Sequence, residues 1–370
     1  MNIVIFGLSI TSSWGNGHAT TYRGLVRELA RRHHRVLFLE RDCSWYADNR
    51  DLPQPAFCRM ALYQSLRELA EFAREVAAAD CVIVGSYVPD GAAIGEWVTR
   101  VAQGVTAFYD IDTPVTLASL ARGEHTHLTP ELAGRYDLYL SFTGGPTLDL
   151  LEREFGANAH AFHCSVDPQH YFPEKTAARW DLGYLGTYSP DRQPGLTQLL
   201  IEPASQAPDR RFVVAGPQYP KAMRWPKNVE RIEHLSPGEH RAFYNAQRLT
   251  LNLTRGDMIR AGWSPSVRLF EAAACGTPII SDPWSGLENF FVPGREILVA
   301  TSSKEVREIL QDMPDAERLA IAGRARSRVL AEHTAAHRAA ELETLIGAAS
   351  SLTVQTSEFQ PAKATLETTI

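Results

Sequence analysis

The sequence predicts an α/β protein made of two halves, each a doubly wound parallel sheet with helices on both faces. The chain has 370 residues, which is more than a single hydrophobic core usually accommodates. This length suits two domains of about 150–190 residues each. Short β-rich apolar runs alternate with helical patterns, and this alternation occurs twice along the chain. A proline-containing segment, residues 167–175, separates the two series. We therefore expect one domain at residues 1–170 and a second at residues 171–333.

The first series alternates short strands with helices, which indicates a parallel, doubly wound sheet. Its strands are predicted at Asn2–Gly7, Arg35–Glu40, Asp80–Gly85, Val105–Asp110, Asp137–Phe142 and Ala159–His163. Its helices are predicted at His18–Arg32, Gln64–Ala79, Gly91–Val101 and Gly145–Phe155.

The second series repeats this alternation. Its strands are predicted at Gly183–Thr187, Phe212–Gly216, Glu230–His234, Leu249–Leu253, Pro278–Ser281 and Ile297–Val299. Its helices are predicted at Pro194–Glu202, Gly238–Ala246, Ser266–Cys275 and Ser303–Gln311. Two such domains joined once leave a cleft where both sheets present their carboxyl ends. Residues 351–370 are rich in Thr and Ser with little periodicity, and we expect a disordered tail there.

Composition narrows the classes of function. The content of 44% hydrophobic and 22% charged residues is that of an ordinary globular protein, and the net charge of −6 argues against nucleic acid as a partner. The five cysteines are scattered without a Cys-x-x-Cys pair, so neither a disulfide framework nor a zinc site is indicated. The start of the chain does not resemble a signal peptide and no apolar run approaches ~20 residues, so we expect a cytoplasmic protein.

The segment from residue 264 to 300 carries the strongest functional pattern. A helix beginning near Ser266 is followed by a glycine turn and a buried strand, so the helix start lies at a carboxyl edge of the sheet. Free amides and the helix dipole make such an end an anion site. Arg268 and Glu271 share one helix face, where Arg can grip phosphate and a carboxylate can accept both hydroxyls of a ribose. The alternative is an ordinary Arg–Glu pair on an amphipathic helix.

This segment, with its Arg-x-x-Glu helix, Cys-Gly-Thr-Pro turn and Trp-Ser-Gly-Leu-Glu loop, resembles group-1 glycosyltransferases. It is most similar to the spore-maturation CgeB-like branch, over about residues 180–335, and the first half is similar in architecture alone. The resemblance implies the GT-B fold, in which two Rossmann-like domains face each other. It also implies a nucleoside-diphosphate-sugar donor bound by the second half, and a final helix at about 334–348 that packs back on the first. No cofactor or metal is expected.

The resemblance extends to loop residues that follow neighbouring strands, each of which is also compatible with an ordinary loop role. It implies that the turn after the first strand of the second half lies near the diphosphate and that backbone groups farther along frame the base. The donor-nucleotide residues expected from the helix and these loops, together with the loop after the first strand of the chain, are Gly17, Thr187, Tyr188, Arg192, Gly216, His234, Leu235, Arg255, Ser266, Arg268 and Glu271.

One position departs from the family pattern. Retaining members carry a first Glu eight residues before the second, where it touches the donor sugar, and here that position is Trp263. The sugar must then be held in another way, for which the candidates are Asp257, Asp282, Trp284 and Gly286. The stereochemistry of transfer stays open.

The loop after the first strand supplies a catalytic candidate. Gly15 and Gly17 permit close backbone approach, and His18 begins the next helix, where many GT-B enzymes keep a base for the acceptor hydroxyl. Packing or capping by His18 is the alternative. The loop also imitates a dinucleotide fingerprint, with Glu40 as its acidic residue. However, about seven residues separate the strand from Gly15 and the third glycine is missing, so NAD is not expected.

Two acids and one basic run complete the candidates of the first half. Asp110 and Asp112 follow a strand, where they could orient an acceptor or act as a base; helix capping and metal binding are the alternatives. The basic run at residues 31–35 ends the first helix, and a solvated face is favoured over a membrane-surface patch.

The sequence therefore predicts a metal-independent glycosyltransferase of hexosyltransferase type. It would move a sugar from a nucleoside-diphosphate-sugar to the hydroxyl of an unidentified acceptor, which is a small molecule, a glycan or a lipid-linked group. A nucleotide-sugar epimerase or hydrolase of the same fold is one alternative. A non-catalytic coat or scaffold protein with a vestigial site is another, and Trp263 favours it.

Overall fold

A computed structural model describes residues 1–357 of the chain, with side chains through residue 351. Two separate parallel sheets dominate it. The first has the strand order β3-β2-β1-β4-β5-β6-β7 and the second has the order β10-β9-β8-β11-β12-β13. The first sheet contains β1 (Asn2–Gly7), β2 (Arg35–Arg41), β3 (Arg59–Tyr63), β4 (Cys81–Gly85), β5 (Val105–Asp110), β6 (Leu138–Ser141) and β7 (Ala159–Ala161). The second contains β8 (Trp180–Leu185), β9 (Phe212–Ala215), β10 (Val229–Ile232), β11 (Gln247–Asn252), β12 (Ile279–Ser281) and β13 (Leu298–Val299).

Helices cover both faces of each sheet, as parallel crossovers require. Those of the first half are α1 (His18–Arg31), α2 (Ser44–Ala47), α3 (Ala73–Ala78), α4 (Gly91–Val101), α5 (Thr113–Ala121), α6 (Pro130–Ala133) and α7 (Pro146–Phe155). Those that follow are α8 (Gln193–Leu196), α9 (Glu202–Gln206), α10 (Pro237–Asn245), α11 (Gly256–Ala261), α12 (Val267–Ala274), α13 (Ser303–Asp312), α14 (Asp315–Glu332) and α15 (Ala335–Ser357). A π-helical stretch joins α8 to α9, and short 3₁₀ turns lie at Leu66–Phe72 and Leu287–Asn289.

The predicted doubly wound fold is confirmed, because all strand pairs in both sheets are parallel. Each predicted strand overlaps an observed one. The sequence missed β3, a partly exposed edge strand that begins with arginine. The predicted helix at Gln64–Ala79 is wrong over its first part, which is an irregular 3₁₀ turn, and the long helix α14 was not predicted.

The chain crosses back from the second half to the first at its last helix. Val166 and Thr334 form a parallel bridge, and the Ala335 amide donates to the carbonyl of Val166 at 2.8 Å. Helix α15 then packs along α1. A Cβ atom at Gly24 would lie 3.3 Å from that of Ala335, so the two helices approach closely there.

This contact also occupies part of the basic run of α1. Arg32 and His34 both pair with Glu343 of α15, and Arg31 pairs with Glu28. Part of the run is therefore paired with acids of this chain, which agrees with the preference for a solvated face over a membrane-surface patch. The tail expected at residues 351–370 begins as helix, because α15 continues to Ser357, and residues 358–370 lie outside the described chain.

Candidate functional site

A cleft of about 490 Å³ opens between the carboxyl ends of the two sheets. The loops after β1, β5 and β6 line it from the first half. The loops after β8 to β11 and the start of α12 line it from the second. The residues of the sequence prediction found on its wall are Gly17, His18, Asp112, Thr187, Tyr188, Arg192, Gly216, His234, Leu235, Arg255, Ser266, Arg268 and Glu271. The structure thus brings the whole predicted nucleotide group together.

The start of α12 presents an anion-binding end to this cleft. Ser266 occupies the N-cap, and its hydroxyl donates to Asn252 Oδ1 at 2.9 Å instead of capping the helix. The Leu269 amide donates to the Ser266 carbonyl at 3.1 Å. Val267 and Arg268 line the cleft, so the positive end of the helix dipole faces it. Gly276, with φ +71°, ends the helix in the left-handed region that glycine adopts without strain. Phosphate groups are the typical ligands of such a helix start.

Arg268 is held in place by the protein itself. Its side chain is buried, Nε donates to the carbonyl of Leu185, and Nη1 donates to Asn252 Oδ1 at 3.0 Å. The guanidinium also lies 5.0 Å from the ring centroid of Tyr184. A Cβ atom at Gly186 would lie 3.0 Å from Nη2, so that nitrogen reaches the turn after β8. The group is therefore oriented in advance, with one end directed at the loop where the diphosphate is expected.

Positive charge accumulates in this part of the cleft. Arg192 Nη2 donates to the carbonyl of Thr187 at 2.7 Å. Burial lowers the pKa of Arg192, and the nearby Arg268 and Arg255 lower it further against the opposing effect of Tyr184. Within residues 1–351, neither Arg192 nor Arg268 forms an ion pair with a carboxylate. Partly buried cations without a protein counter-ion favour binding of an anion.

Glu271 lies deeper along the same wall and is 3% exposed. The Tyr244 hydroxyl donates to Oε2 at 3.2 Å, and His240 Nδ1 lies 3.8 Å from the same oxygen. The hypothesis of an ordinary surface pair between Arg268 and Glu271 is wrong, because both side chains are buried and each has other partners. Glu271 therefore offers its remaining acceptor positions to the cleft.

A salt bridge between Asp112 of the first half and Arg255 of the second half crosses the cleft. Asp112 Oδ2 accepts from Arg255 Nη1 and from the Tyr87 hydroxyl, both at 2.9 Å. His18 lies beside this group, with its ring 5.9 Å from that of Phe142. Burial lowers the pKa of His18, while the charge of Asp112 raises it and that of Arg255 lowers it. The net effect keeps the imidazole neutral near pH 7, which is the form that accepts a proton.

The loop between β1 and α1 is organised by Glu40. This buried carboxylate accepts from the Ser9 hydroxyl at 3.0 Å, from the amides of Ile10 and Thr11 at 2.7 and 3.1 Å, and from the Thr11 hydroxyl at 2.5 Å. A dinucleotide site would require this acid for the ribose. Because its oxygens are already used within the loop, Glu40 does not offer the ribose contact that such a site needs.

Asp110 does not line the cleft, contrary to the sequence prediction. It is fully buried at the end of β5 and accepts from the Tyr139 hydroxyl at 2.6 Å and the Thr116 hydroxyl at 2.8 Å. Burial raises its pKa to about 6, although both hydrogen bonds lower it. Strand β5 ends at Asp110, whereas Asp112 lies beyond the strand at the N-cap of α5, where the chain has turned and the side chain reaches the cleft. Asp110 therefore cannot touch an acceptor in this arrangement.

The residues predicted to hold the donor sugar also lie off the cleft wall. Asp282 accepts from the amide and hydroxyl of Thr254, each at 2.9 Å, and burial raises its pKa. Asp257 pairs with Arg260 on α11. Trp284 is buried against Phe290 with ring centroids 5.9 Å apart.

The fourth sugar candidate, Gly286, packs against Trp263. A Cβ atom at Gly286 would lie 2.6 Å from the Trp263 ring, and one at Gly145 of the first half would lie 2.5 Å from it. The Trp263 ring is thus wedged between glycines of both halves, and its carbonyl accepts from the Gly144 amide at 2.9 Å. The position of the absent Glu is a packing contact between the halves.

Several residues of the site were not identified from the sequence. Tyr244 and His240 line the cleft next to Glu271. Tyr87 and Asn252 lie behind the wall, where Tyr87 bonds to Asp112 and Asn252 accepts from Ser266. Their side chains reach the site only because the fold brings distant segments together. Spacing along the chain therefore could not predict their positions. His240, one turn into α10 and facing an acid on α12, required the tertiary contact between those helices.

Comparison with known proteins agrees with this geometry. Residues 192–344 match the family model described as Glycosyl transferase-like, whereas no curated protein matches the sequence. Sucrose-phosphate synthase from Thermosynechococcus elongatus superposes with a TM-score of 0.67 at 13% identity, covering 97% of this chain and 100% of that one. The fold is that of GT-B glycosyltransferases.

Two further GT-B structures are similar over almost the whole chain. Anabaena Alr3699/HepE, solved in complex with UDP and glucose, has a TM-score of 0.70 at 13% identity and covers 94% of this chain and 100% of its own. AviGT4, a glycosyltransferase involved in avilamycin A biosynthesis, has a TM-score of 0.62 at 15% identity, with 95% and 98% covered. The family model and these structures support a glycosyltransferase and do not favour an epimerase, hydrolase or scaffold protein.

The described residues contain neither a helix suited to crossing a membrane nor a cluster suited to a metal ion. Within residues 1–357, none of the helices combines the length and apolar character that crossing a bilayer requires. The same part of the chain contains no group of three His, Cys, Asp or Glu side chains placed to hold a metal ion.

Proposed function

We propose that this protein transfers a hexosyl group from a nucleoside-diphosphate-sugar, with UDP as the preferred nucleotide, to a hydroxyl of an acceptor. The observation that carries the proposal is the convergence of the α12 start, Arg192, Arg268 and Glu271 on one wall of the cleft. UDP is preferred because the similar Anabaena structures hold UDP or UDP-glucose. We assign donor binding to the second domain, residues 171–333, and acceptor binding to the first, residues 1–170.

The chemistry of the proposal is charge stabilisation of the leaving diphosphate. Breaking the bond between the sugar and the phosphate leaves negative charge on the terminal phosphate oxygens. Arg268 Nη2, Arg192 and the amides at the α12 start supply fixed positive charge where that phosphate would lie. Since these groups are oriented by the fold, little reorganisation is needed during transfer. We therefore propose that transfer needs no metal ion.

The acceptor is activated from the opposite wall in this proposal. His18 lies at the start of α1 beside Asp112, and its lowered pKa keeps it unprotonated near neutrality. It would take the proton of the acceptor hydroxyl as that oxygen attacks the sugar. Asp112, held by Arg255 and Tyr87, would orient this end of the cleft. The CgeB-like branch remains a finer prediction from the sequence resemblance, and the stereochemistry is left open.

A thermal-shift screen tests the proposal directly. The protein is mixed with UDP, GDP, CDP and dTDP and with their common sugar conjugates, because a ligand of the native state raises the melting temperature. We expect UDP and its sugars to give the largest rise, with or without EDTA. Absence of a shift with every nucleotide would refute the donor site. A shift with UDP-sugars followed by release of UDP only when an acceptor hydroxyl is supplied would establish transfer.

A further inference from the structure

Trp14 is an exposed aromatic residue in the loop between β1 and α1. It is 42% exposed, and its neighbours Ser13, Gly15 and Asn16 line the cleft. Its ring centroid lies 4.6 Å from that of His234, which belongs to the second half, at an angle of 47°. The two rings therefore bridge the rim of the cleft, one from each half of the chain.

The loop that carries Trp14 is fixed by hydrogen bonds. The Ser13 amide and hydroxyl donate to Asp51 at 2.9 and 3.1 Å, and Arg23 holds both oxygens of that carboxylate at 2.8 Å. The Trp14 amide donates to the Ser12 hydroxyl at 3.2 Å. Trp14 is thus a positioned aromatic side chain, and its ring needs little additional ordering when a ligand arrives.

His234 is equally well placed on the other side. It follows β10 and precedes α10, whose start is fixed by a capping box in which the Ser236 amide and hydroxyl donate to Glu239 at 2.9 and 2.8 Å. His240, three residues into the same helix, lies 3.8 Å from Glu271. His234 follows β10 at the edge of the second sheet, whereas the start of α12 contacts Leu185 of β8 and Asn252 of β11, nearer the middle of that sheet.

This order along the wall matches the order of groups in a nucleoside diphosphate. With phosphates at the α12 start and the ribose at Glu271, the base reaches the part of the cleft lined by Leu235, Gln218 and Pro217, beside His234. These residues offer apolar surface and backbone groups to a planar ring. An aromatic ring from the opposite half would cover the remaining face, since bases stack on aromatic side chains.

We infer that Trp14 completes the nucleobase site from the first half, so that the base of the donor is bound by both halves through the Trp14–His234 contact. The inference rests on the proposed function, because it assigns the base of the same donor. It also gives the acceptor-side half a part in selecting the nucleotide.

Isothermal titration of the full chain with two probes tests this assignment. UDP contains phosphates, ribose and base, whereas inorganic pyrophosphate contains the phosphates alone. We expect Trp14→Ala to weaken UDP binding about tenfold and to leave pyrophosphate binding unchanged, whereas Trp14→Phe retains most of the UDP affinity. His234→Ala should weaken UDP in the same way, and the double variant should lose no more than the larger single loss. Trp45→Ala is the matched control, because Trp45 is 58% exposed outside the cleft wall.

Each outcome separates the inference from the proposed function. UDP binding by Trp14→Ala equal to that of the unaltered protein would overturn the inference and leave the donor site standing. Equal loss of UDP and pyrophosphate would also overturn it, because Trp14 would then act on the phosphate end through Gly15 and Gly17. An unaltered protein that binds neither probe would refute the proposed function itself.

Discussion

Replacing Glu271 by glutamine tests whether this carboxylate binds the ribose. The substitution keeps the shape of the side chain and one oxygen that can accept from Tyr244, so the packing of α12 should persist. It removes the negative charge and replaces one acceptor by a donor. Because Glu271 is only 3% exposed, water cannot easily replace the lost interaction.

The expected magnitude follows from the acceptor positions that Glu271 leaves free. The carboxylate has about four lone-pair positions; the Tyr244 hydroxyl uses one, and the Tyr171 hydroxyl also bonds to Glu271. Two ribose hydroxyls can donate to the rest. Losing one hydrogen bond to a charged group costs about 1.5–3 kcal/mol. This corresponds to UDP affinity weakened by about 10- to 150-fold.

Titration with UDP and with 2′,3′-dideoxy-UDP distinguishes the loss of a ribose contact from a general loss of nucleotide binding. The unaltered protein should prefer UDP, and Glu271→Gln should lose most of that preference while its melting temperature stays unchanged. Glu288→Gln is a suitable control, since Glu288 is exposed and lies off the cleft wall. If Glu271→Gln weakens both nucleotides equally, Glu271 does not bind the ribose. Arg268→Ala is a poorer test of the site, because it also removes hydrogen bonds to Leu185 and Asn252.

Three more substitutions test other parts of the structure. Arg192→Gln should weaken UDP by about 1.5–3 kcal/mol in titration without lowering the melting temperature of the free protein, because it relieves repulsion from Arg268 and Arg255. His18→Gln should lower kcat by about 10²- to 10⁴-fold with UDP affinity unchanged. The acid limb of the kcat/KM profile of the unaltered protein should lie below about pH 6.5, where His18 protonates. Asp110 has a folded pKa of about 6, above its unfolded value, so its contribution to folding is present in acid and is lost as the pH rises through 6. Denaturant unfolding should show the stability of the unaltered protein, relative to Asp110→Asn, falling by up to about 3 kcal/mol between pH 4 and 7; a difference independent of pH would contradict this.

The sequence predicted the parallel sheets well because their strands are buried on both faces. A strand such as β4, Cys81–Gly85, is apolar throughout and has a flanking helix on each side, which leaves little ambiguity. Strand β3 was missed because it lies at the edge of its sheet and remains partly exposed. Its apolar run, Met60 to Tyr63, contains no Val, Ile or Thr, so it lacks the β-branched composition that is typical of strands.

The grouping of the proposed donor-site residues on one wall of the cleft was predictable for a similar reason. Its residues follow successive strands, and the carboxyl ends of parallel strands meet at one edge. The sequence was less informative about which of two acids near the end of β5 has its side chain in the cleft. Asp110 and Asp112 are indistinguishable in spacing, yet one ends a buried strand and bonds to Tyr139 while the other reaches the cleft and Arg255. The point at which β5 ends and the chain turns into α5 decides between them.

Trp263 shows what the sequence could and could not tell about the donor sugar. Counting back from Glu271 revealed that the sugar-contacting Glu of similar enzymes is absent. It could not reveal that the indole would fill a gap between Gly145 and Gly286, with the Gly144 amide donating to the Trp263 carbonyl. Any side chain added at either glycine would displace the ring, so this contact between the halves depends on all three residues together. The carboxylates proposed to replace the Glu, Asp257 and Asp282, are committed to Arg260 and Thr254. Under the proposed function, the donor sugar would be bound by groups already on the cleft wall, among them the start of α12, whereas the Gly186 and Tyr188 amides after β8 already donate to the carbonyls of Ala215 and Pro217.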